Sequence, residues 1–130
     1  MIIVLDASGA AEIALKNLNA QLYLEIVKSA DVVVSPDNYI SEITNVFWKY
    51  KKYKQFNDEI CIKGIEFCMN LIDDFLPSKE LWREAFFEGV KNNTSTYDMF
   101  YLIAARRNSG KILTMDKELK SIATKEGLII

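Results

Sequence analysis

Residues 1–8 decide the fold, and they read Met1-Ile2-Ile3-Val4-Leu5-Asp6-Ala7-Ser8. The apolar run up to Leu5 is rich in β-branched side chains, which is typical of a strand buried on both faces of a parallel sheet. Asp6 ends this run, and the segment from Ala7 to Leu18 has a helical pattern of small and apolar side chains. Because a buried strand leads directly into a helix, the stretch predicts an α/β fold.

The same alternation continues along the chain. Short apolar runs predict three more strands, at Val32–Val34, Ile112–Thr114 and Leu128–Ile130. Ser35-Pro36 has the pattern of a helix N-cap followed by proline at the first helical position. Further helices are predicted at about Gln21–Ser29, Phe56–Val90 with one break at Leu76-Pro77-Ser78, Tyr97–Asn108 and Lys117–Lys125. We therefore predict an α/β/α sandwich around a central, mostly parallel sheet of about four or five short strands.

Composition limits both the size of the protein and its chemistry. The chain has 130 residues, 50% of them hydrophobic, which suits one domain spanning residues 1–130 with its own core. It contains no histidine, so Ser-His-Asp and Cys-His nucleophilic sites and mixed Cys/His zinc sites are excluded. The net charge of -2 argues against a strongly basic protein that binds nucleic acid non-specifically.

Cysteine usage and the first segment bear on the compartment. Cys61 and Cys68 fall on one predicted helix, roughly 10 Å apart, which is too far for a disulfide. We expect them to be buried thiols in a reducing cytoplasm. The apolar run before Asp6 is too short for a signal peptide or a membrane span, so no membrane association is expected.

Four acidic residues lie where a metal site would need them. Asp6 and Asp116 follow predicted strands, and ligands of open α/β sheets bind at the carboxyl ends of strands. Asp98 lies at the start of a helix. These three also suit helix capping, a structural alternative that each of them leaves open. Glu42 lies beyond the first turn of its helix, where no cap explains it, and its alternative is a solvated flank of the apolar stripe.

The joint pattern of the four acids indicates metal-assisted chemistry. Carboxylates that converge from separate elements repel one another unless cations neutralise them. With no imidazole available, Mg²⁺ or Mn²⁺ is the natural occupant of an all-oxygen site. Two such cations assist in-line attack of water at phosphorus without a histidine base. The pattern therefore predicts hydrolysis of a phosphodiester.

The sequence around each acid resembles a known family. The runs Ile3–Ser8, Ser41–Tyr50, Tyr97–Ala104 and Leu113–Leu119 look like the motifs of the PIN domain, particularly those of VapC-type toxins. They occur in the family's order and span essentially the whole chain. The continuation Gly9-Ala10-Ala11-Glu12 departs from the family pattern, and the middle helical region carries no family motif.

The resemblance implies a Mg²⁺- or Mn²⁺-dependent endoribonuclease that a partner antitoxin inhibits and that is commonly a homodimer. Its acidic quartet maps onto Asp6, Glu42, Asp98 and Asp116, which would hold the metal and carry catalysis. The implied products carry 5′-phosphate and 3′-hydroxyl ends. The polar neighbours at matching positions are Ser8, Asn45 and Thr114.

Two further groups of residues bear on partners. Lys49, Lys52 and Arg106 are candidates for contact with the RNA backbone, and their alternative is the ordinary role of basic residues at helix C-termini. We expect four large aromatic side chains to lie in the core, with any exposed subset marking a dimer or antitoxin surface: Trp48, Trp82, Phe86 and Phe87.

Two rival functions remain open on the sequence alone. The first is a catalytically inactive PIN-like module that binds RNA or protein, although such a module needs no mutually repelling acids. The second is a haloacid-dehalogenase-like phosphatase. That family requires an aspartate two residues after the first one, and Ser8 occupies this position.

Overall fold

The computed structural model describes residues 1–130, and its centre is a four-stranded parallel sheet. In chain order the strands are β1 (Ile2–Leu5), β2 (Val32–Pro36), β3 (Asp74–Leu76) and β4 (Lys111–Leu113). Their order across the sheet is β3-β2-β1-β4, and all neighbouring pairs are parallel. Strand β1 therefore lies inside the sheet, with β2 on one side and β4 on the other.

Seven helices cover the sheet, and a short 3₁₀ turn at Ser78–Glu80 precedes the fifth. They are α1 (Ala7–Ala14), α2 (Ala20–Ser29), α3 (Asn38–Lys54), α4 (Asp58–Asn70), α5 (Trp82–Asn92), α6 (Thr96–Asn108) and α7 (Lys117–Lys125). None of them combines the length and the apolar composition that crossing a membrane requires.

The two faces of the sheet bury separate apolar clusters. Ile3 and Leu5 of β1 face a cluster that includes residues of α1, α2, α3 and α4, whereas Val4 faces one built mainly from α5, α6 and α7. Successive side chains of a strand point to opposite faces, so this split follows from the alternation along β1. Both faces are covered, which explains why the strands read as continuous apolar runs.

The predicted elements are largely confirmed, with differences where local patterns mislead. Ser35-Pro36 was predicted to start a helix, but Pro36 closes β2 and α3 begins at Asn38. The Ser35 hydroxyl donates instead to the Leu5 carbonyl of β1, 2.8 Å away. The predicted final strand is reduced to a single bridge between Ile112 and Ile129.

The segment predicted to be helical from Phe56 to Val90 contains strand β3. This strand has three residues and lies at the edge of the sheet, with Asp74 exposed. It is too short to show a periodic pattern, which is why the sequence did not reveal it. Cys61 and Cys68, by contrast, are free and buried as predicted.

The prediction that four aromatic side chains lie in the core is wrong. All four are more than half exposed, and three of them are on α5: Trp48, Trp82, Phe86 and Phe87. Hydrophobicity alone did not distinguish the face of α5 that packs on α6 from the face that is open. The core on that side of the sheet is filled by smaller residues, among them Ala85 of α5 and Ala104 and Ala105 of α6.

Candidate functional site

Asp6 lies at the carboxyl end of β1 and is 3% exposed. It is the N-cap residue of α1, and its Oδ1 accepts hydrogen bonds from the Gly9 amide and the Ser8 hydroxyl, both at 2.8 Å. Its Oδ2 accepts from the Thr114 hydroxyl. The capping alternative is therefore correct for Asp6, but capping accounts for only one of the three hydrogen bonds.

Gly9 permits the close packing of α1 against β4 beside this carboxylate. A side-chain carbon at Gly9 would lie 2.8 Å from the Leu113 carbonyl oxygen. Only glycine fits there, and its amide can then reach Asp6.

Ser8 and Thr114 connect the ends of β1 and β4. Their hydroxyl oxygens are 3.2 Å apart, and the Ser8 hydroxyl also accepts from the Met115 amide at 2.9 Å. Thr114 is 1% exposed. These contacts hold the segment after β4 next to Asp6. Because Asp116 directly follows this segment, they also restrict its position.

Asp116 begins α7 as its N-cap residue. Its Oδ1 accepts from the Leu119 amide at 2.8 Å, and its own amide donates to the Thr114 hydroxyl at 2.9 Å. The second carboxylate oxygen takes no hydrogen bond from the protein. Capping therefore positions Asp116 while leaving one oxygen free.

Asp98 lies in the first turn of α6, and its surroundings differ from those of Asp6. Ser95 caps this helix by accepting from the Tyr97 amide at 3.4 Å, so Asp98 is not needed as a cap. Its carboxylate takes part in no hydrogen bond and no ion pair. The capping-box alternative, in which Asp98 would bind the Ser95 amide, is not formed.

Glu42 projects from α3 and is bonded through both carboxylate oxygens. The Tyr101 hydroxyl of α6 donates to Oε2 at 2.5 Å, and the Asn38 side-chain amide donates to Oε1 at 3.2 Å. Asn38 Oδ1 is buried with no hydrogen-bond partner. Neither Tyr101 nor Asn38 is recognisable from the sequence as a site residue, because Tyr101 has the pattern of an apolar core position and Asn38 that of an ordinary residue in the first turn of a helix.

Burial and mutual repulsion raise the pKa of three of these acids. Burial, opposed by its hydrogen bonds and reinforced by the charge of Glu42, raises the pKa of Asp6 to about 6. Burial, followed by repulsion from Asp116 and Asp6, raises the pKa of Asp98 to about 6. The pKa of Glu42 is also raised, by burial and by Asp98. Each of these three acids is therefore influenced by the charge of at least one other acid of the four.

The donor chemistry of this cluster fits a hard divalent cation. All of its charged groups are carboxylates, none is paired with lysine or arginine, and Asp98 and one oxygen of Asp116 have no partner. No group of three acidic, cysteine or histidine side chains is placed to enclose a cation. Mg²⁺ usually binds through one or two carboxylates and several waters, so an open arrangement suits it better than a closed cage would.

The remaining predicted residues make no hydrogen bond or ion pair with the four carboxylates. Asn45 is exposed on α3 and, with Trp48, lines an open depression of about 420 Å³. Lys49 and Lys52 are exposed near the end of α3, with the Lys52 ammonium 5.0 Å from the Trp48 ring centre. Arg106 is already bound to Glu88 and Glu126, at 2.9 and 2.7 Å.

Comparisons with known proteins bear on the fold and on the family resemblance. No protein-family model matches the chain. It is 25% identical to Ribonuclease VapC3 of Pyrobaculum aerophilum, over 92% of each chain. The fold matches the crystal structure of PAE2754 from the same organism, with a TM-score of 0.68, 19% identity and coverage of 92% of this chain and 82% of that one.

A second solved structure shows the same fold. It is Mycobacterium tuberculosis VapC20, a toxin that cleaves the sarcin-ricin loop, with a TM-score of 0.67, 12% identity and coverage of 92% of this chain and 94% of that one. The resemblance to VapC-type PIN domains that the four motifs predicted is thereby confirmed, and so is the PIN-like α/β/α architecture.

Proposed function

We propose that the chain is a metal-dependent endoribonuclease, with residues 1–130 acting as one PIN-like domain. The observation that supports the proposal is the electrostatic repulsion among Asp6, Glu42, Asp98 and Asp116, which come from separate elements and have no positively charged partner. A cluster of this kind lowers stability in the absence of a cation. Similarity to Ribonuclease VapC3 supports RNA as the substrate.

The four carboxylates would hold Mg²⁺ or Mn²⁺ at the carboxyl end of the sheet, one or two of them directly and the others through coordinated water. When bound there, a divalent cation supplies charge neutralisation at the phosphate and lowers the pKa of a coordinated water. The protein contributes the orientation of its acids. Hydrogen bonds from Ser8 and Thr114 orient Asp6, and the hydrogen bond that caps α7 orients Asp116. Hydrogen bonds from Tyr101 and Asn38 orient Glu42.

The proposal extends to partners and compartment. Similarity to VapC proteins supports the role of a toxin held inactive by a cognate antitoxin protein in the cytoplasm, and buried free thiols suit a reducing compartment. The exposed aromatic side chains Trp82, Phe86 and Phe87 of α5 give the protein a surface suited to binding another protein, either the antitoxin or a second copy of the chain in a homodimer.

Cleavage of RNA in the presence of Mn²⁺ tests the proposed activity. Asp6→Asn keeps the size of the side chain and an acceptor for the Gly9 amide, so the fold should persist while cleavage is abolished. Glu66→Gln, which removes an exposed and unpaired acid of α4, is the matched control and should cleave at the wild-type rate. The products should carry 5′-phosphate and 3′-hydroxyl ends.

Two results would contradict the proposal. One is cleavage by Asp6→Asn at the wild-type rate, which would mean that a contaminating nuclease or another site is responsible. The other is an inert wild-type protein that binds RNA unchanged with or without Mn²⁺, which would favour the non-catalytic binding module.

A further inference from the structure

Glu42 is held differently from the other three acids, because its two hydrogen bonds come from side chains rather than from a cap. Tyr101 on α6 and Asn38 on α3 each donate to one of its oxygens, at 2.5 and 3.2 Å. Tyr101 is 59 positions away in the sequence and 1% exposed, so its hydroxyl is fixed by the surrounding core. A glutamate side chain has three rotatable bonds, and donors on both oxygens remove much of that freedom.

Both donors are neutral, which has a consequence for the charge of the site. A lysine or arginine at either position would cancel the charge of Glu42, whereas a hydroxyl and an amide leave it in place. Each carboxylate oxygen offers about two lone-pair directions, so one direction on each oxygen stays available to a cation. The pair therefore orients Glu42 without neutralising it.

Helix α6 links this orientation to Asp98. Asp98 and Tyr101 are three residues apart, which places them on the same side of the helix. The helix thus presents one acid of the site directly and restrains another acid through a buried hydroxyl. Movement of α6 would shift both acids together.

We propose that Tyr101 and Asn38 are positioning residues that orient Glu42 toward the cation. The inference rests on the proposed metal-dependent function. Partners of metal-ligating side chains typically change metal affinity by about 10-fold to 100-fold when removed. Tyr101→Phe should therefore weaken Mn²⁺ binding by about 10-fold, and Asn38→Ala, which removes the longer hydrogen bond, should weaken it by less than about 10-fold.

Tyr39→Phe is a closely matched control. Tyr39 is 0% exposed, and its hydroxyl donates to the Cys68 carbonyl at 2.6 Å in the core on the opposite face of the sheet. The substitution removes a buried tyrosine hydroxyl with similar geometry but with no bond to an acid of the site. Its Mn²⁺ affinity should equal that of the wild type even if its thermal stability falls.

The experiment is a calorimetric Mn²⁺ titration of metal-free wild type, Tyr101→Phe, Asn38→Ala and Tyr39→Phe, followed by cleavage rates across Mn²⁺ concentrations. We expect a larger Mn²⁺ dissociation constant only in Tyr101→Phe and Asn38→Ala, with cleavage by Tyr101→Phe recovering at saturating Mn²⁺. If Tyr101→Phe fails to fold, Asn38→Ala alone decides.

The outcomes separate this inference from the function on which it rests. If folded Tyr101→Phe binds Mn²⁺ with wild-type affinity, the positioning role is overturned and the proposed nuclease activity still stands. If Tyr101→Phe does not fold, the same result in Asn38→Ala overturns the positioning role. If Tyr39→Phe weakens Mn²⁺ binding to the same extent, loss of any buried tyrosine hydroxyl is enough to disturb the site, and this also overturns the positioning role. A wild-type protein that neither binds Mn²⁺ nor cleaves RNA overturns the proposed function, and the inference falls with it.

Discussion

Helix α6 has an acidic region at each end, and the two are built in opposite ways. At its C-terminal end, Arg106 binds Glu88 and Glu126, and Arg107 binds Glu84, so each of these three carboxylates has a guanidinium partner. At its start, Asp98 joins Asp6, Glu42 and Asp116, and none of the four has a positively charged partner. The chain therefore neutralises the acids that link helices and leaves the four acids of the candidate site without a positively charged partner.

The contrast should be largest in catalysis. Asp98→Asn removes an unpaired acid of the candidate site, and we expect Mn²⁺-dependent RNA cleavage to fall by at least about 100-fold, as removal of one charge-stabilising group commonly does. Glu88→Gln removes a paired acid at the other end of the same helix and should cleave within about 2-fold of wild type. Initial rates at equal concentrations of folded protein measure both. An equal loss of cleavage rate in Asp98→Asn and Glu88→Gln would contradict the proposed difference between the two regions.

The unpaired region should also give the metal-free protein a characteristic pH dependence. The pKa of Asp6 is raised from 3.8 to about 6 on folding, so between those values the folded state holds a proton that the unfolded chain has lost. The free energy of unfolding therefore falls as pH rises from about 4 to 6, by roughly 3 kcal/mol for Asp6 alone, at about 1.4 kcal/mol per pKa unit.

Urea unfolding at a series of pH values, in EDTA, measures this slope. Asp6→Asn removes the titrating group, so the difference between wild type and variant isolates its contribution. Added Mn²⁺ should flatten the wild-type slope because a bound cation favours the charged carboxylate. Identical pH profiles for the two proteins would show that Asp6 is not held as the structure indicates.

A smaller effect should appear in stability at neutral pH. In metal-free buffer, Asp98→Asn relieves repulsion and should stabilise the protein by roughly 0.5–1 kcal/mol, whereas Glu88→Gln breaks a partly exposed ion pair and should destabilise it by a similar amount. Thermal unfolding midpoints at pH 7 test the opposite signs. A shift in the same direction for both variants would show that the two regions do not differ in charge balance.

The smallest effect concerns the basic side chains predicted to contact RNA. Lys52 makes no ion pair, so Lys52→Gln should weaken RNA binding by roughly 2-fold to 5-fold and reduce the salt dependence by about one phosphate contact. Arg106 is already bound to two glutamates, so Arg106→Gln should leave RNA affinity unchanged and lower thermal stability instead. Binding is measured with Asp6→Asn as the background to prevent cleavage. The reverse pattern would place the RNA near the end of α6.

Much of the fold was predictable because its strands are buried on both faces. Val32–Val34 and Ile112–Leu113 are continuous apolar runs, and the bounds of α7 agree with those predicted from sequence. Strand β3 was missed because three residues at a sheet edge carry too little pattern. Pro36 was misplaced because Ser-Pro suits a helix start, whereas here the serine hydroxyl bonds a neighbouring strand.

The candidate site was also only partly predictable from the sequence. Asp6 and Asp116 could be placed at the ends of strands because strand ends follow from the apolar runs. The hydrogen bond from Tyr101 that holds Glu42 could not be predicted, since Tyr101 lies among buried apolar residues and only the packing of α6 beside α3 brings its hydroxyl to Glu42. Sequence likewise does not tell which face of α5 is open, so Trp82 and Phe86 were assigned to the core.

The most direct test of the central claim is to locate bound Mn²⁺ by anomalous X-ray scattering in crystals of the protein grown or soaked with MnCl₂. We predict an anomalous peak among Asp6, Glu42, Asp98 and Asp116, and we predict that this peak is lost in crystals of Asp98→Asn. A peak beside Glu84, Glu88 or Glu126 instead, or no peak at the end of the sheet in crystals of active protein, would contradict the claim that the unpaired acids form the metal site.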